Sequence, residues 1–206
     1  MRRIGDTAIT AVTVVALGSG VWLLGSGYGT HAPPQPSAAE GRPDPAEERL
    51  GSPALAPSPP TRIRIPAIRV NAPLTGLGLT SSGSLDVPPP GNKNLAGWYE
   101  AGTSPGERGT AIVAGHVDNA EGPAVFYDLG ALRRGAAIEI DRRDGSVAVF
   151  TVDAVEVYSA RNFPDQKVYG AAKRPELRVI TCGGGYSKTT GYQGNVVVFA
   201  HLTGSR

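Results

Sequence analysis

Two hydrophobic patterns divide this chain. From Ala8 to Leu24 the residues AITAVTVVALGSGVWLL are nearly all apolar or small, with no polar face at helical spacing. A helix rises about 1.5 Å per residue, so residues 7–28 would span roughly 30 Å, the thickness of a bilayer core. Arg2 and Arg3 precede this run and favour a cytoplasmic N-terminus. Residues 1–28 therefore read as a membrane anchor or as a cleaved secretory signal. No clear A-x-A site follows, which favours the anchor. Either reading sends the rest of the chain out of the cytoplasm.

After residue 60 the pattern becomes one of short alternating runs. Residues 62–65 (RIRI) and 68–70 (IRV) alternate polar with apolar, 110–114 (TAIVA) is a short apolar run, and 152–158 alternates again. Residues 137–140 (AIEI) and 147–152 (VAVFTV) flank Asp144-Gly145, a strong hairpin signal. Residues 176–181 (ELRVIT) and 195–201 (NVVVFAH) complete the set. A period of two is the signature of strands. Helical signal is confined to a turn or two over 122–129 and a short piece near 167–173. The pattern predicts one all-β domain over 61–206, a barrel or a sandwich.

Between these zones, residues 29–60 hold nine prolines among Ala, Ser and Glu. Such a segment has too little apolar surface to offset the entropy of ordering, and proline favours extended backbone. It reads as a disordered, semi-stiff tether, and its His31 stands outside any site.

Composition narrows the function classes. The net charge is +2 and the basic residues are scattered, with Arg133-Arg134 and Arg142-Arg143 as isolated pairs. No basic stripe interleaved with aromatics is present, which argues against nucleic-acid binding. The single cysteine rules out an intramolecular disulfide. The folded zone has two histidines and no H-x-x-x-H or C-x-x-C spacing, so no metal-ligand set is recognisable.

The sole thiol, Cys182, ends an apolar run in VITCGGGY. It is either an inert small hydrophobe or a nucleophile. A nucleophile needs a nearby histidine or other cation to form thiolate. His116, in Ala114-Gly115-His116-Val117-Asp118, ends another apolar run in the same manner. Two strand ends can bring such groups together, although spacing alone favours a structural histidine. Asp118 could orient the imidazole or cap a turn. His201, near the C-terminus, reads as a strand-end surface residue. Trp98 and Tyr99 read as packing residues. Residues at even spacing share a strand face, so Arg178, Ile180 and Cys182 should point the same way. Arg178 is then either a donor reaching toward the thiol or the partner of a carboxylate such as Glu176.

Taken together, Trp98-Tyr99, the PGERG stretch from Pro105 to Gly109, the AGHVD motif around His116, Phe163-Pro164, LRVITCGG around Cys182 and NVVVFA from Asn195 to Ala200 resemble the sortases. The likeness is greatest to the class F type of high-GC Gram-positive bacteria. It implies an eight-stranded β-barrel with the cysteine at the end of the seventh strand. It also implies a membrane-tethered extracellular cysteine transpeptidase. Such enzymes cleave an LPXTG-like sorting signal between Thr and Gly, hold the acyl group as a thioester, and pass it to an amine of a cell-wall precursor or another protein. Carried onto this chain, Cys182 is the nucleophile and His116 the general acid/base, the two titrating as a coupled pair. The family arginine on the strand after the cysteine is missing; alignment puts Asn195 there, an amide donor without charge. Arg178 is a candidate substitute. Thr181 and Gly183 flank the thiol as substrate-binding residues, and Arg161 lies in the loop that would border the groove. No cofactor is implied. Asp141 and Asp144 are separated by an arginine pair, so no calcium cluster is expected. Two other readings use the same residues: a cysteine peptidase that mainly hydrolyses its thioester, and a non-catalytic peptide-binding barrel.

Overall fold

The computed structural model describes residues 32–41, 52–187, 189 and 191–206. In chain order the strands are β1 (Pro60–Ile65), β2 (Val70–Leu77), β3 (Ala96–Tyr99), β4 (Gly109–Gly115), β5 (Asp118–Asn119), β6 (Gly122–Pro123), β7 (Ala137–Arg142), β8 (Val147–Ser159), β9 (Pro175–Ser187) and β10 (Gly191–Ser205). A single α-turn, α1 (Asp165–Tyr169), sits between β8 and β9. Eight strands close into a barrel in the order β1-β2-β3-β4-β9-β10-β8-β7, while β5 and β6 form a separate small ribbon. Closure removes every sheet edge.

The alternating runs become strands because one face fills the barrel. Ile63, Ile65, Ile138, Ile140, Phe150 and Val152 are all fully buried inside it. Asp144-Gly145 makes the β7–β8 turn, with Gly145 at φ 85°, a left-handed conformation glycine adopts without strain.

Three strands depart from simple alternation. The outer faces of β4, β9 and β10 are also covered: Ile112, Ile180, Val197 and Phe199 form a second cluster with Ala154 of β8 and Val168 of α1. Strands buried on both faces read as continuous apolar runs, which is why 110–114 and 195–200 look unbroken in the sequence. This second cluster marks the side of the barrel where the β8–β9 connection folds over.

Several sequence expectations shift. Residues 66–68 form a 3-10 turn and the next strand starts at Val70, because Pro66 at the first helical position presets a turn. The region 122–129 is ribbon and turn, followed by a 3-10 turn at Leu129–Ala131. The short helix near 167–173 begins and ends earlier, at Asp165–Tyr169. Trp98 and Tyr99, read above as packing residues, lie in β3, a strand that no alternation announces.

Residues 32–41 and 52–59, which the composition assigns to the tether, lie against the barrel. Glu40 accepts from the Arg134 backbone N–H at 2.8 Å and pairs with Arg133 at 3.1 Å. The backbone N–H groups of Ser52 and Leu55 donate to Leu202 and Gly106. The Arg142 guanidinium, buried, donates to the carbonyls of Ala56 and Pro105. Proline-rich backbone, lacking donors of its own, is fixed here by donors from the barrel. The anchor expected over 1–28 lies outside the described residues. Among the described residues no helix is long and apolar enough to cross a membrane.

Candidate active site

β4 and β9 run parallel, with Ala114 paired to Ile180 at the end of the ladder. Thr181 donates its hydroxyl to the Gly115 carbonyl at 2.8 Å, extending the alignment one residue further. His116 and Cys182 therefore stand at the same level, each two residues past the last pair: His116 follows the end of β4, whereas Cys182, expected at a strand end, lies inside β9, which continues to Ser187 along β10. Neighbouring strands lie about 4.8 Å apart, so this register brings the two groups to one mouth of the barrel.

Cys182 is an exposed residue. The protein around it still strips part of its hydration, and this raises the thiol pKa; the carboxylate of Asp118 raises it further. The resting nucleophile is thus held as a neutral thiol.

His116 is half-buried, and its Nε2 lies 2.6 Å from the Pro88 carbonyl oxygen. A carbonyl can only accept, so Nε2 carries the proton, and Nδ1 is the nitrogen available for exchange. The backbone carbonyl of His116 accepts from Phe126 at 3.0 Å, and the side chain of Asn119 donates to the Pro90 carbonyl at 2.8 Å. The Pro88-Pro89-Pro90 stretch thus holds the histidine segment from one side and Phe126 from the other.

Asn195 is the direct antiparallel partner of Cys182. Opposed residues in such a pair share a face, with Cβ atoms about 5 Å apart. The amide therefore stands beside the thiol.

Arg178 is turned away. It points to the same outer face as Ile180 and Cys182, as strand parity requires, but its Nη2 pairs with Glu176 at 2.7 Å and its guanidinium stacks over Phe199 at 4.6 Å. Only 6% of the residue is exposed. Glu176, flanked also by Arg174, is held below the usual carboxylate range against the opposing cost of its own burial. The candidacy of Arg178 as the missing cation is corrected: it belongs to a structural ion network one end of which lies away from the mouth.

The remaining sequence candidates separate. The Thr181 hydroxyl is spent on Gly115, so it joins the two strands and leaves only its backbone beside the thiol. Gly183 is required by close approach, since a Cβ there would come within 2.6 Å of the Val196 side chain. The left-handed turn expected of the glycine run falls on Gly184 and Gly185, at φ 76° and 91°. Arg161 lies exposed in a 3-10 turn at Ala160–Asn162 and does not line the groove. His201 is corrected from a surface residue to a buried one: it is 3% exposed, with Nδ1 2.6 Å from Asp153. Asp118 accepts a hydrogen bond from the Tyr192 hydroxyl rather than orienting the imidazole. Tyr192, with its pKa raised by burial and by this carboxylate, stays a protonated donor. Nothing in the sequence spacing singles out Tyr192, since its partner is 74 positions away.

A groove of about 660 Å³ runs over the outer face beside the start of β4. Leu79, Leu85, Tyr99, Ile112 and Tyr169 give it apolar walls, and Thr110 and Asp165 add polar groups. It is built by the 79–85 loop and by α1, two segments whose packing no local pattern announces. Among the described residues no group of three or more His, Cys, Asp or Glu side chains converges as a metal site would require.

A family profile described as Sortase domain matches residues 63–203. No curated protein sequence matches the chain. Among solved structures, sortase A of Listeria monocytogenes superposes with a TM-score of 0.53 at 17% identity, covering 73% of this chain and 90% of that one. The SrtA sortase of Actinomyces oris gives 0.52 at 18% identity, covering 76% and 86%. A Clostridium perfringens sortase D5 transpeptidase gives 0.52 at 21% identity, covering 73% and 83%. At these identities the structural likeness speaks for the fold, and the profile match speaks for descent.

Proposed function

As this chain belongs to the sortase family and is a cysteine transpeptidase, we propose that Cys182 attacks the Thr–Gly carbonyl of an LPXTG-like sorting signal with His116 as its general acid/base. The observation that carries this reading is the parallel register of β4 and β9, whose ladder stops at Ala114 and Ile180 and so sets His116 and the exposed Cys182 at one level on neighbouring segments. The neutral thiol gives its proton to Nδ1 of His116 as sulfur bonds to the carbonyl carbon. The imidazolium, steadied by the Pro88 carbonyl at Nε2, then protonates the departing amine. The C–N bond breaks and a thioester remains on sulfur. An amine acceptor completes the cycle.

Asn195 stands in for the family arginine as donor to the developing oxyanion. A neutral donor stabilises less charge than a guanidinium does, so turnover should be modest beside an enzyme that keeps the arginine. The apolar groove along β4 takes the signal peptide upstream of the scissile bond. The motifs that resemble class F, together with the apolar N-terminal run, favour an enzyme anchored in the cell membrane by a single span with its barrel outside.

The test is direct. Incubation with an LPXTG-containing peptide should give an acyl adduct on intact protein by mass spectrometry. Cys182→Ala should give none, and His116→Ala almost none. An unmodified wild-type protein after prolonged incubation with folded enzyme would defeat the proposal. Membrane fractionation of the full chain, compared with a chain lacking residues 1–28, checks the anchor: both variants in the soluble fraction would reject it.

A further inference from the structure

Four positions follow one another along the outer face at this mouth. The groove residues Thr110 and Ile112 lie near the start of β4. Ala114 and Ile180 come next, then His116 and Cys182, and beyond them Asp118 and Tyr192. At about 3.3 Å per residue, the five strand intervals from Thr110 to the end of β4 at Gly115 span roughly 16 Å, and Asp118 follows three residues later. An acyl chain lying in the groove reaches the sulfur from one side. The other side, toward Asp118, stays open to a second reactant.

Asp118 is half-buried, and among the described residues it takes one hydrogen bond, from the Tyr192 hydroxyl to Oδ2. Among the described residues no lysine or arginine pairs with it. Its charge is felt at the sulfur, where it hinders thiolate formation. Beside Asp118, the rings of Tyr186 and Tyr192 meet edge to face with centroids 5.2 Å apart, and Tyr186 is 63% exposed. Carboxylate and aromatic faces together are the surroundings that attract an ammonium group.

Resting on the transpeptidase reading, we propose that Asp118, held by Tyr192, with Tyr186 beside it, is the docking site for the ammonium group of the acceptor. The acceptor arrives as R–NH3+ and binds by ion pairing. One proton passes to Nδ1 of His116 and from there to solvent. The freed amine attacks the thioester carbonyl, the N–C bond forms, the C–S bond breaks, and the second proton leaves nitrogen for sulfur. The products are an amide, the thiol of Cys182 and one released proton.

The experiment loads the enzyme from an LPXTG-containing peptide and measures how the acyl-enzyme partitions between water and an added nucleophile. Partition ratios do not depend on how fast the thioester forms. Two probes are compared at neutral pH: triglycine, whose amine is an ammonium, and hydroxylamine, which is uncharged. Asp118→Asn should lower the triglycine ratio about fivefold, the scale of one partly exposed ion pair, and lower the hydroxylamine ratio far less. Asp118→Glu should recover much of the triglycine ratio. Tyr192→Phe keeps the ring and loses the hydroxyl, and should lower the triglycine ratio by less than Asp118→Asn does. An equal fall for both nucleophiles, or none for triglycine, overturns the acceptor site while the wild-type adduct still stands. A wild type that forms no adduct on Cys182 defeats the transpeptidase reading itself, and the acceptor site with it.

Discussion

At the residue scale, the site is decided by which side chains have spare hydrogen-bonding capacity at the mouth. Arg178 has little, because Glu176 and Phe199 engage it. Removing it should cost stability: on the order of 3 kcal/mol, since a mostly buried carboxylate loses a partner. Urea unfolding would measure this, and the acylation rate of the folded fraction should stay close to wild type. Asn195→Ala should do the reverse. Acylation should fall by about a hundred- to a thousandfold, the range for losing one oxyanion donor, with the unfolding midpoint little changed. Pre-steady-state acylation by mass spectrometry separates the two. The thiol gives a third prediction, with a definite sign. Both partial burial and Asp118 raise its pKa above the usual value near about 8.5. The thiolate therefore forms at higher pH than in a free cysteine, and the alkylation rate with iodoacetamide should reach its midpoint on the alkaline side. Asp118→Asn should move that midpoint down. In stability terms, a folded pKa above the unfolded one makes this contribution present at low pH and lost as pH rises through the folded value.

Elements carry the alignment that the residues need. The bond from Thr181 to Gly115 joins β9 to β4 one residue before the thiol. Thr181→Val keeps shape and removes the donor, at about 1 kcal/mol, and should lower acylation more than it lowers the melting temperature would suggest. A second element acts near the same mouth. Gln35 of the N-terminal segment accepts from the Gly184 backbone at 3.3 Å, and a Cβ on Gly130 would collide with the Pro34 carbonyl. Gly130→Ala should therefore loosen residues 32–41, read as faster limited proteolysis between them and the barrel. Elements are also where reading the sequence succeeds and fails for visible reasons. β1, β7 and the first half of β8 show clean alternation because one face meets water. β4 and β10 are buried on both faces, and their apolar runs announce strands without saying which face bears chemistry. The 3-10 turn at 66–68 and the ribbon at 118–123 leave no periodic trace at all.

For the whole molecule, closure of the barrel makes one contiguous core from strands far apart in the chain. β1 pairs with β7, and β4 pairs with β9. With a single cysteine, none of this depends on a disulfide. A reducing agent should leave the thermal unfolding midpoint unchanged, whereas a drop in the midpoint would reveal an intermolecular bridge through Cys182. The described stretches of the proline-rich region also belong to this body, as their bonds to Leu202, Gly106 and Arg134 indicate.

The sequence alone determined the strand character of residues 61–206 and the identities of Cys182 and His116 as candidates, because periodicity and residue chemistry are local properties, while the absent arginine came from the resemblance to the family. Tertiary structure decided the rest. Only the closed sheet places Asn195 opposite the thiol, buries His201 on Asp153 and sets Tyr192 on Asp118. Each of these is a pairing between side chains on different strands, and strand register is set by how two faces pack, which no single run of residues encodes.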